Sequence, residues 1–325
     1  MRCPKLAELP PPPACNTGWP WTVETPELPP TRPDGSPWPR ISIVTPSYNQ
    51  GQFIEETIRS VLLQGYPDLE YTIIDGASTD ESAEIIKRYE PWLAYWVSEK
   101  DHGQAHAINK GLAKSSGEIF QWINSDDVLL FNALLYIATA FSEHAVAAPI
   151  LVGKMRSNSK TRYNRNLTVK HILRGRAVFS QPGLWLPADK LRLIGIREDL
   201  HYAFDWDMLI RYLEKYPNVT HIESHSVFFR LHENSKTMRG DHMFAKEEHL
   251  IRARLSRSLS SPLQRSICRN AQHQRNWERH LTEWRKHSEG VKFDVAMRMI
   301  LLGLRNPRLR ISRSWFGAVR RTFFS

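Results

Sequence analysis

Ile119-Phe-Gln-Trp-Ile-Asn-Ser-Asp-Asp-Val128 is an apolar, aromatic run that ends abruptly in four polar residues. The run reads as a buried strand, with Asn124, Ser125, Asp126 and Asp127 at its exit. Two adjacent carboxylates in such a place are unfavourable unless positive charge compensates them. Mg²⁺ or Mn²⁺ carried by phosphate oxygens supplies that charge, since these cations take one or two carboxylates and fill their shells with substrate phosphates. The competing reading is local: Asp126 or Asp127 caps a helix running through Leu134. The residues upstream weigh for the first reading.

Working outward, residues 41–45 form a β-branched strand stopped by Pro46, and residues 52–64 have helical spacing at Phe53, Ile58, Val61 and Leu62. A strand over 71–74 ends at Asp75-Gly76, and a helix follows from Thr79 through Tyr89. A third strand over 93–97, a helix over 105–113 and the strand before Asn124 continue the alternation. Strands alternating with helices at this spacing predict an α/β fold with a parallel sheet and right-handed crossovers. Ligands of such sheets bind beyond the carboxyl ends of the strands. Polar residues cluster at those ends: Ser47, Tyr48 and Asn49; Asp75 and Gly76; Asp101 to Gln104; Asn124 to Asp127. Four such clusters in order describe a nucleotide site.

Composition narrows the class. The chain has 325 residues, 41% of them hydrophobic and 24% charged, enough for a full globular core. Cys3, Cys15 and Cys268 are too few and too scattered for a disulfide framework or a zinc site, which fits a cytoplasmic protein. The longest apolar region, 128–141, falls short of the roughly 20 residues that span a bilayer. Prolines crowd residues 1–40, so that segment reads as an extended arm, packed on the domain by Trp19, Trp21 and Trp38. The net charge of +10 sits largely beyond Arg252, and no acid follows Asp294. Arginines interleaved with Trp315, Phe316, Phe323 and Phe324 suit an anionic membrane surface, with nucleic acid a weaker match. Residues 291–325 are therefore expected to hold the chain peripherally on an inner membrane face.

Thr45-Pro-Ser-Tyr-Asn49, Ile74-Asp-Gly-Ala-Ser-Thr-Asp80, Gly103-Gln-Ala-His-Ala-Ile-Asn-Lys-Gly111 and Asn124-Ser-Asp-Asp127 together resemble the family 2 glycosyltransferases. Order and spacing agree over about 90 residues and more loosely to about Thr237. The resemblance implies a GT-A fold, a nucleotide-binding α/β sandwich with a mostly parallel central sheet. It implies an organisation of an arm (1–40), a catalytic domain (41–240, nucleotide-sugar half 41–130 and acceptor half 131–240) and a helical basic extension (241–325). Pro46, Ser47, Tyr48 and Asn49 would line the base and ribose, and Asp75 would hydrogen-bond them, unless it is a turn residue paired with Ser78 or Thr79. Asp101, Gly103, Gln104, Asn109 and Asn124 would complete the donor wall. Asp126 and Asp127 would hold Mg²⁺ or Mn²⁺ against the departing diphosphate. One aspartate before Gly76, and Asn124 where many relatives have a carboxylate, depart from the commonest pattern.

In the second half, Gln181, Pro182 and Trp185 resemble the segment bordering the acceptor, Trp185 offering a flat face to a sugar; a tryptophan buried beside a proline turn is the alternative. Asp205 matches the family's general base at a helix opening, with Asp207 positioning the helix or the acceptor. Phe204 stands where many relatives have another acid. Arg230 and His232, two apart on an extended segment, match cations near the donor diphosphate. The implied activity is inverting transfer of a sugar from a nucleotide-sugar to a hydroxyl of a glycan or lipid-linked acceptor. A catalytically inactive nucleotide-sugar-binding subunit is one alternative. A nucleotidyltransferase is another, though its glycine-rich basic first loop is missing here.

Overall fold

The apolar runs form the strands and the helical spacings form the helices between them. β1 (Ile41–Ser47), β2 (Leu69–Asp75), β3 (Tyr95–Ser98) and β4 (Ile119–Trp122) alternate with α1 (Gly51–Leu62), α2 (Ser82–Arg88) and α3 (Gln104–Lys114). Then follow β5 (Val128–Leu129), α4 (Ala133–Ala140), β6 (Ala145–Ala147), β7 (Ile150–Gly153), β8 (Lys160–Arg162), α5 (Val169–Leu173), β9 (Leu184–Pro187), α6 (Ala188–Ile194), α7 (Phe204–Lys215), β10 (Val219–His221) and β11 (Val227–Arg230). The computed structural model describes residues 2–174, 177–233, 235–236, 241–266, 268–269 and 301. Its main sheet runs β10-β6-β9-β4-β1-β2-β3, antiparallel only where β9 meets β4 and β6. A second sheet runs β5-β11-β7-β8. This is the predicted α/β sandwich with a mostly parallel centre.

Every residue of β1 is buried, as befits a central strand covered on both faces. Pro46 does not stop it. Val44 accepts from Ile123 N–H on the β4 side, and Ser47 accepts from Gly76 N–H on the opposite side. By alternation Pro46 faces the β4 side, where the ladder already ends at the Val44–Trp122 pair, so its missing N–H breaks no bond. The helix-cap reading of Asp126 and Asp127 also fails: the chain continues as β5, and α4 starts only after Asn132.

The proline-rich arm is folded onto the core. Arg59 of α1 is fully buried and donates to the carbonyls of Pro10 (2.8 Å), Pro20 (3.2 Å) and Trp21 (2.9 Å) and to Tyr89 Oη (3.2 Å). Trp19 donates through Nε1 to Leu129 O (2.8 Å), and Trp38 is buried beside Tyr66. Arg59→Met would leave three arm carbonyls without a donor, at about 2–4 kcal/mol of stability. Limited trypsinolysis should then cut at Lys5 and Arg40 much earlier than in the wild type; unchanged cleavage would remove Arg59 as the arm's anchor.

The described chain divides into two compact units, residues 1–168 with 177–244, and 169–176 with residues from 245 onward. The arm and both sheets belong to the first. In the second, residues 245–258 of the helix Asp241–Ser258 continue the chain, and Arg252 donates to Leu173 O. Among the described residues no helix is long and apolar enough to cross a membrane. Apart from Leu301, the basic segment 291–325 lies outside the described residues.

Candidate active site

A cavity of about 970 Å³ opens at the carboxyl ends of β1 to β4. The first exit contributes Pro46, Ser47 and Tyr48 to its wall, and Tyr48 is 61% exposed. Asn49 is not on the wall. In the left-handed conformation (φ 50°), it accepts from Thr79 N–H (2.8 Å) while its own N–H reaches Ser78 Oγ, so it braces the second exit.

Asp75 corrects a sequence expectation. It is fully buried, accepting from Ser78 Oγ (2.5 Å), Ser78 N–H (2.9 Å) and Ser98 Oγ (2.6 Å). Its carboxylate is used by the turn, and Gly76 and Ala77 reach the wall instead. Asp101 comes close to Gly76, where a Cβ would sit 3.0 Å from its Oδ2. Its Oδ1 accepts from Gly103 N–H (2.7 Å), and Gly103 (φ 109°) adopts a conformation that side-chain-bearing residues rarely take. Both line the cavity, as does Gln104. Asn109 does not: its amide donates to Ile196 O (2.8 Å) and Glu198 Oε1 (2.7 Å) on the far side of α3.

Gln104 joins three segments. Its Nε2 donates to Asn124 Oδ1 (2.7 Å), and its Oε1 accepts from Lys236 Nζ (2.9 Å). Asn124 in turn donates to Asp127 Oδ2 (3.2 Å). The paired aspartates then separate. Asp126 lines the cavity, with Oδ2 2.8 Å from His232 Nε2. Asp127 points inward, fully buried, and accepts from Arg230 N–H (3.2 Å). Burial, and next the negative charge of Asp126, push the Asp127 carboxyl well above the usual range, opposed by the Arg230 and Asn124 hydrogen bonds. Of the two carboxylates expected to hold a metal, only Asp126 faces the cavity.

Mg²⁺ or Mn²⁺ still fits this donor set, because one carboxylate plus phosphate oxygens is an ordinary shell for either ion and His232 stands against the same carboxylate. Among the described residues no group of three or more protein ligands forms a closed cage. Arg230 is not on the wall. Its guanidinium bonds Glu56 Oε2 (2.6 Å) and Asp126 O (3.1 Å) and lies 5.0 Å over Phe53, while Arg156 takes the other Glu56 oxygen (2.7 Å). Arg230 therefore braces the aspartate turn, and Glu56, unnoticed in the sequence, holds it. Only its one-turn spacing from Phe53 on α1 pointed to a shared face.

On the other side of the cavity, Gln181 and Pro182 reach the wall, but the Gln181 amide donates to Gln121 Oε1 (2.8 Å) and Trp122 O (3.0 Å), fixing the segment to β4. Trp185 is wholly buried in β9 between β4 and β6, so it offers no face to a sugar; the pleat of the strand turns it into the core. Asp205, in the first turn of α7, lines the cavity, and its Oδ1 accepts from Trp206 N–H (2.8 Å). Asp207 is fully buried and cannot meet a substrate. It pairs with Arg211 (2.7 Å) and lies 3.6 Å from Arg197. Phe204, in place of an acid, packs 6.2 Å from the Trp122 ring. Lys236, Tyr202 and Phe244 also line the cavity. Sequence reading missed them, since neither spacing nor composition marks a residue that only a returning chain brings in.

Known proteins resemble this chain in sequence or in fold. TuaG of Bacillus subtilis (strain 168), a putative teichuronic acid biosynthesis glycosyltransferase, is 38% identical over 92 residues, covering 27% of this chain and 36% of TuaG. The match thus spans about a third of that relative. S. aureus TarS in complex with UDP-GlcNAc superposes with a TM-score of 0.57 at 18% identity, over 72% of this chain and 71% of that one. A mannosyltransferase from Pyrobaculum calidifontis, in complex with GDP-Man and Mn²⁺, superposes with a TM-score of 0.51 at 20% identity, over 93% and 90%. Both likenesses establish the GT-A fold. With four strand exits meeting at one cavity and residues 42–228 matching the model of glycosyl transferase family 2, the chain belongs to that family.

Proposed function

We propose that this chain transfers a sugar from a nucleotide-sugar donor to a hydroxyl of a glycan or lipid-linked acceptor, with inversion at the anomeric carbon. The observation that carries the reading is that Asp126 and Asp205, from distant elements, share one cavity with Pro46, Ser47, Tyr48, Asp101, Gly103 and Gln104. Tyr48 and the turn at Gly76 and Ala77 would take the base and ribose. Asp126, with His232 beside it, would hold Mg²⁺ or Mn²⁺, which when bound offsets the charge of the diphosphate. Asp205 would accept the proton of the acceptor hydroxyl as its oxygen bonds to the anomeric carbon. The bond from that carbon to the donor phosphate oxygen breaks on the opposite face, and its electron pair leaves with the nucleoside diphosphate. A single displacement of this kind inverts the centre. The names of TuaG and TarS's bound UDP-GlcNAc support a role in surface polysaccharide assembly and a nucleotide-sugar donor.

A panel of nucleotide sugars, assayed for release of nucleoside diphosphate with and without Mn²⁺ or Mg²⁺, tests the reading. No turnover and no metal-dependent nucleotide binding with any donor would support the inactive-subunit alternative. Within the same assay the two aspartates should behave differently. Asp126→Asn should weaken metal-dependent binding of UDP or GDP by roughly tenfold or more, the loss of one charge-assisted contact. Asp127→Asn should weaken it far less and lower the melting temperature instead. Equal losses of nucleotide affinity in both would restore the two-carboxylate site.

A further inference from the structure

Residues 144–188 hold eight lysines and arginines and no aspartate or glutamate. Two of those cations are already engaged: Arg156 with Glu56, and Arg165 over the Tyr163 ring at 4.5 Å. Lys160 and Arg162 differ. They lie two apart on β8, the edge strand of the small sheet, so they share one face, and both are exposed. Among the described residues neither side chain forms a hydrogen bond or an ion pair.

Arg162 also lines the cavity, opposite Ile150 in the β7–β8 ladder, and Ile150 lines it too. The chain just beyond β8 is fastened to the other side of this corner. Asn164, two residues beyond Arg162 in the chain, accepts from Ser180 N–H (2.6 Å) and donates to Ser180 O (3.2 Å), and Phe179 and Ser180 line the same cavity. Ser180 is only 7% exposed, and among the described residues its Oγ meets no hydrogen-bond partner. A buried hydroxyl left without a partner is unfavourable, and where it lines a cavity a ligand group is the natural acceptor. A guanidinium with no side-chain partner on the wall of the same cavity specifies the sign of that group.

The geometry points to an acceptor subsite for an anionic saccharide, one bearing phosphate or carboxylate, bound by Arg162 with Ser180 Oγ donating a second hydrogen bond. This rests on the glycosyltransferase reading and adds the charge of the acceptor to it. Lys160 extends the positive field outward along β8, where the next anionic unit of a chain would lie. Phe179 supplies an apolar face beside the charged group. A membrane surface fits less well, because a headgroup layer cannot reach a hydroxyl so deeply buried, whereas one acidic group on a saccharide can. The donor diphosphate is not the occupant, since the Asp126 turn leads into β5 at one edge of the small sheet and Arg162 lies on β8 at the opposite edge.

Binding to the full chain decides the matter, with three oligomeric probes compared at low and high salt. These are an oligogalacturonate, its fully methyl-esterified neutral form, and an oligo(glycerol phosphate). At least one anionic probe should bind about tenfold or more tightly than the neutral one, with the gap closing in high salt. The better of the two anionic probes identifies carboxylate or phosphate as the group read. Arg162→Gln should remove about tenfold of that affinity, and Ser180→Ala a smaller part, with melting temperatures unchanged. UDP and GDP binding in the presence of Mn²⁺, measured on the same samples, should be the same in both variants and the wild type. Equal binding of neutral and anionic probes would overturn the subsite. So would folded Arg162→Gln and Ser180→Ala proteins that bind like the wild type. Binding confined to phosphatidylglycerol vesicles would overturn it in favour of a membrane face. A wild type that binds neither nucleotide would instead strike at the donor reading, while the probe comparison would still decide the subsite.

Discussion

Replacing Asp205 by asparagine is expected to reduce turnover by roughly 10²- to 10⁴-fold, the usual contribution of a general base. Nucleotide affinity should remain close to that of the wild type. Asparagine keeps the shape and can still accept from Trp206 N–H, as Asp205 does at 2.8 Å, so the opening of α7 should hold. What it cannot do is take up a proton. The defect should therefore appear in kcat and kcat/KM together, with the donor dissociation constant unmoved. The first turn of α7 is also where unpaired helix N–H groups favour a negative charge, which suits a carboxylate that must be anionic before the acceptor binds. Near-normal turnover by the folded variant would remove Asp205 from the chemistry and leave the cavity without a base from α7.

Asp207→Ala should show the opposite profile, a protein that has lost stability before it has lost chemistry. Asp207 is wholly buried and neutralises Arg211, whose guanidinium also reaches the carbonyls of Ile194 and Gly195 at the end of α6. Truncating one partner of a buried pair leaves a charge without compensation, and about 3 kcal/mol is expected here. The lower end of the usual range applies because Arg211 keeps its two carbonyls and Arg197 is partly exposed. For a domain of this size that amounts to roughly 6–12 °C in melting temperature. Turnover measured well below the transition should fall much less than in Asp205→Asn. A variant that melts like the wild type but has no activity would return Asp207 to the cavity.

These two aspartates, two residues apart, show where sequence reading stopped. Hydrophobic periodicity depends on which side of a strand or helix is dry, so the strands of the first half, the helices between them and the polar strand exits could all be read directly. Pro46 ended a strand on paper because the sequence does not say which side of it a neighbour lies on. At Asp126 and Asp127, and again at Asp205 and Asp207, the residue types identified the chemistry of the segment. They did not tell which carboxylate turns toward the cavity.

Asp75, Asn109, Trp185 and Arg230 carry the same lesson. Each belongs to a motif that borders the cavity, yet each is taken up by partners distant in sequence: Ser98, Glu198, the β4 and β6 neighbours of β9, and Glu56. The sequence by itself determined the alternating α/β order, the four polar exits and the family's motifs, because these are local and periodic. Only the tertiary structure decided which side chains remain available to a substrate, because burial against elements distant in sequence depends on how the whole chain packs.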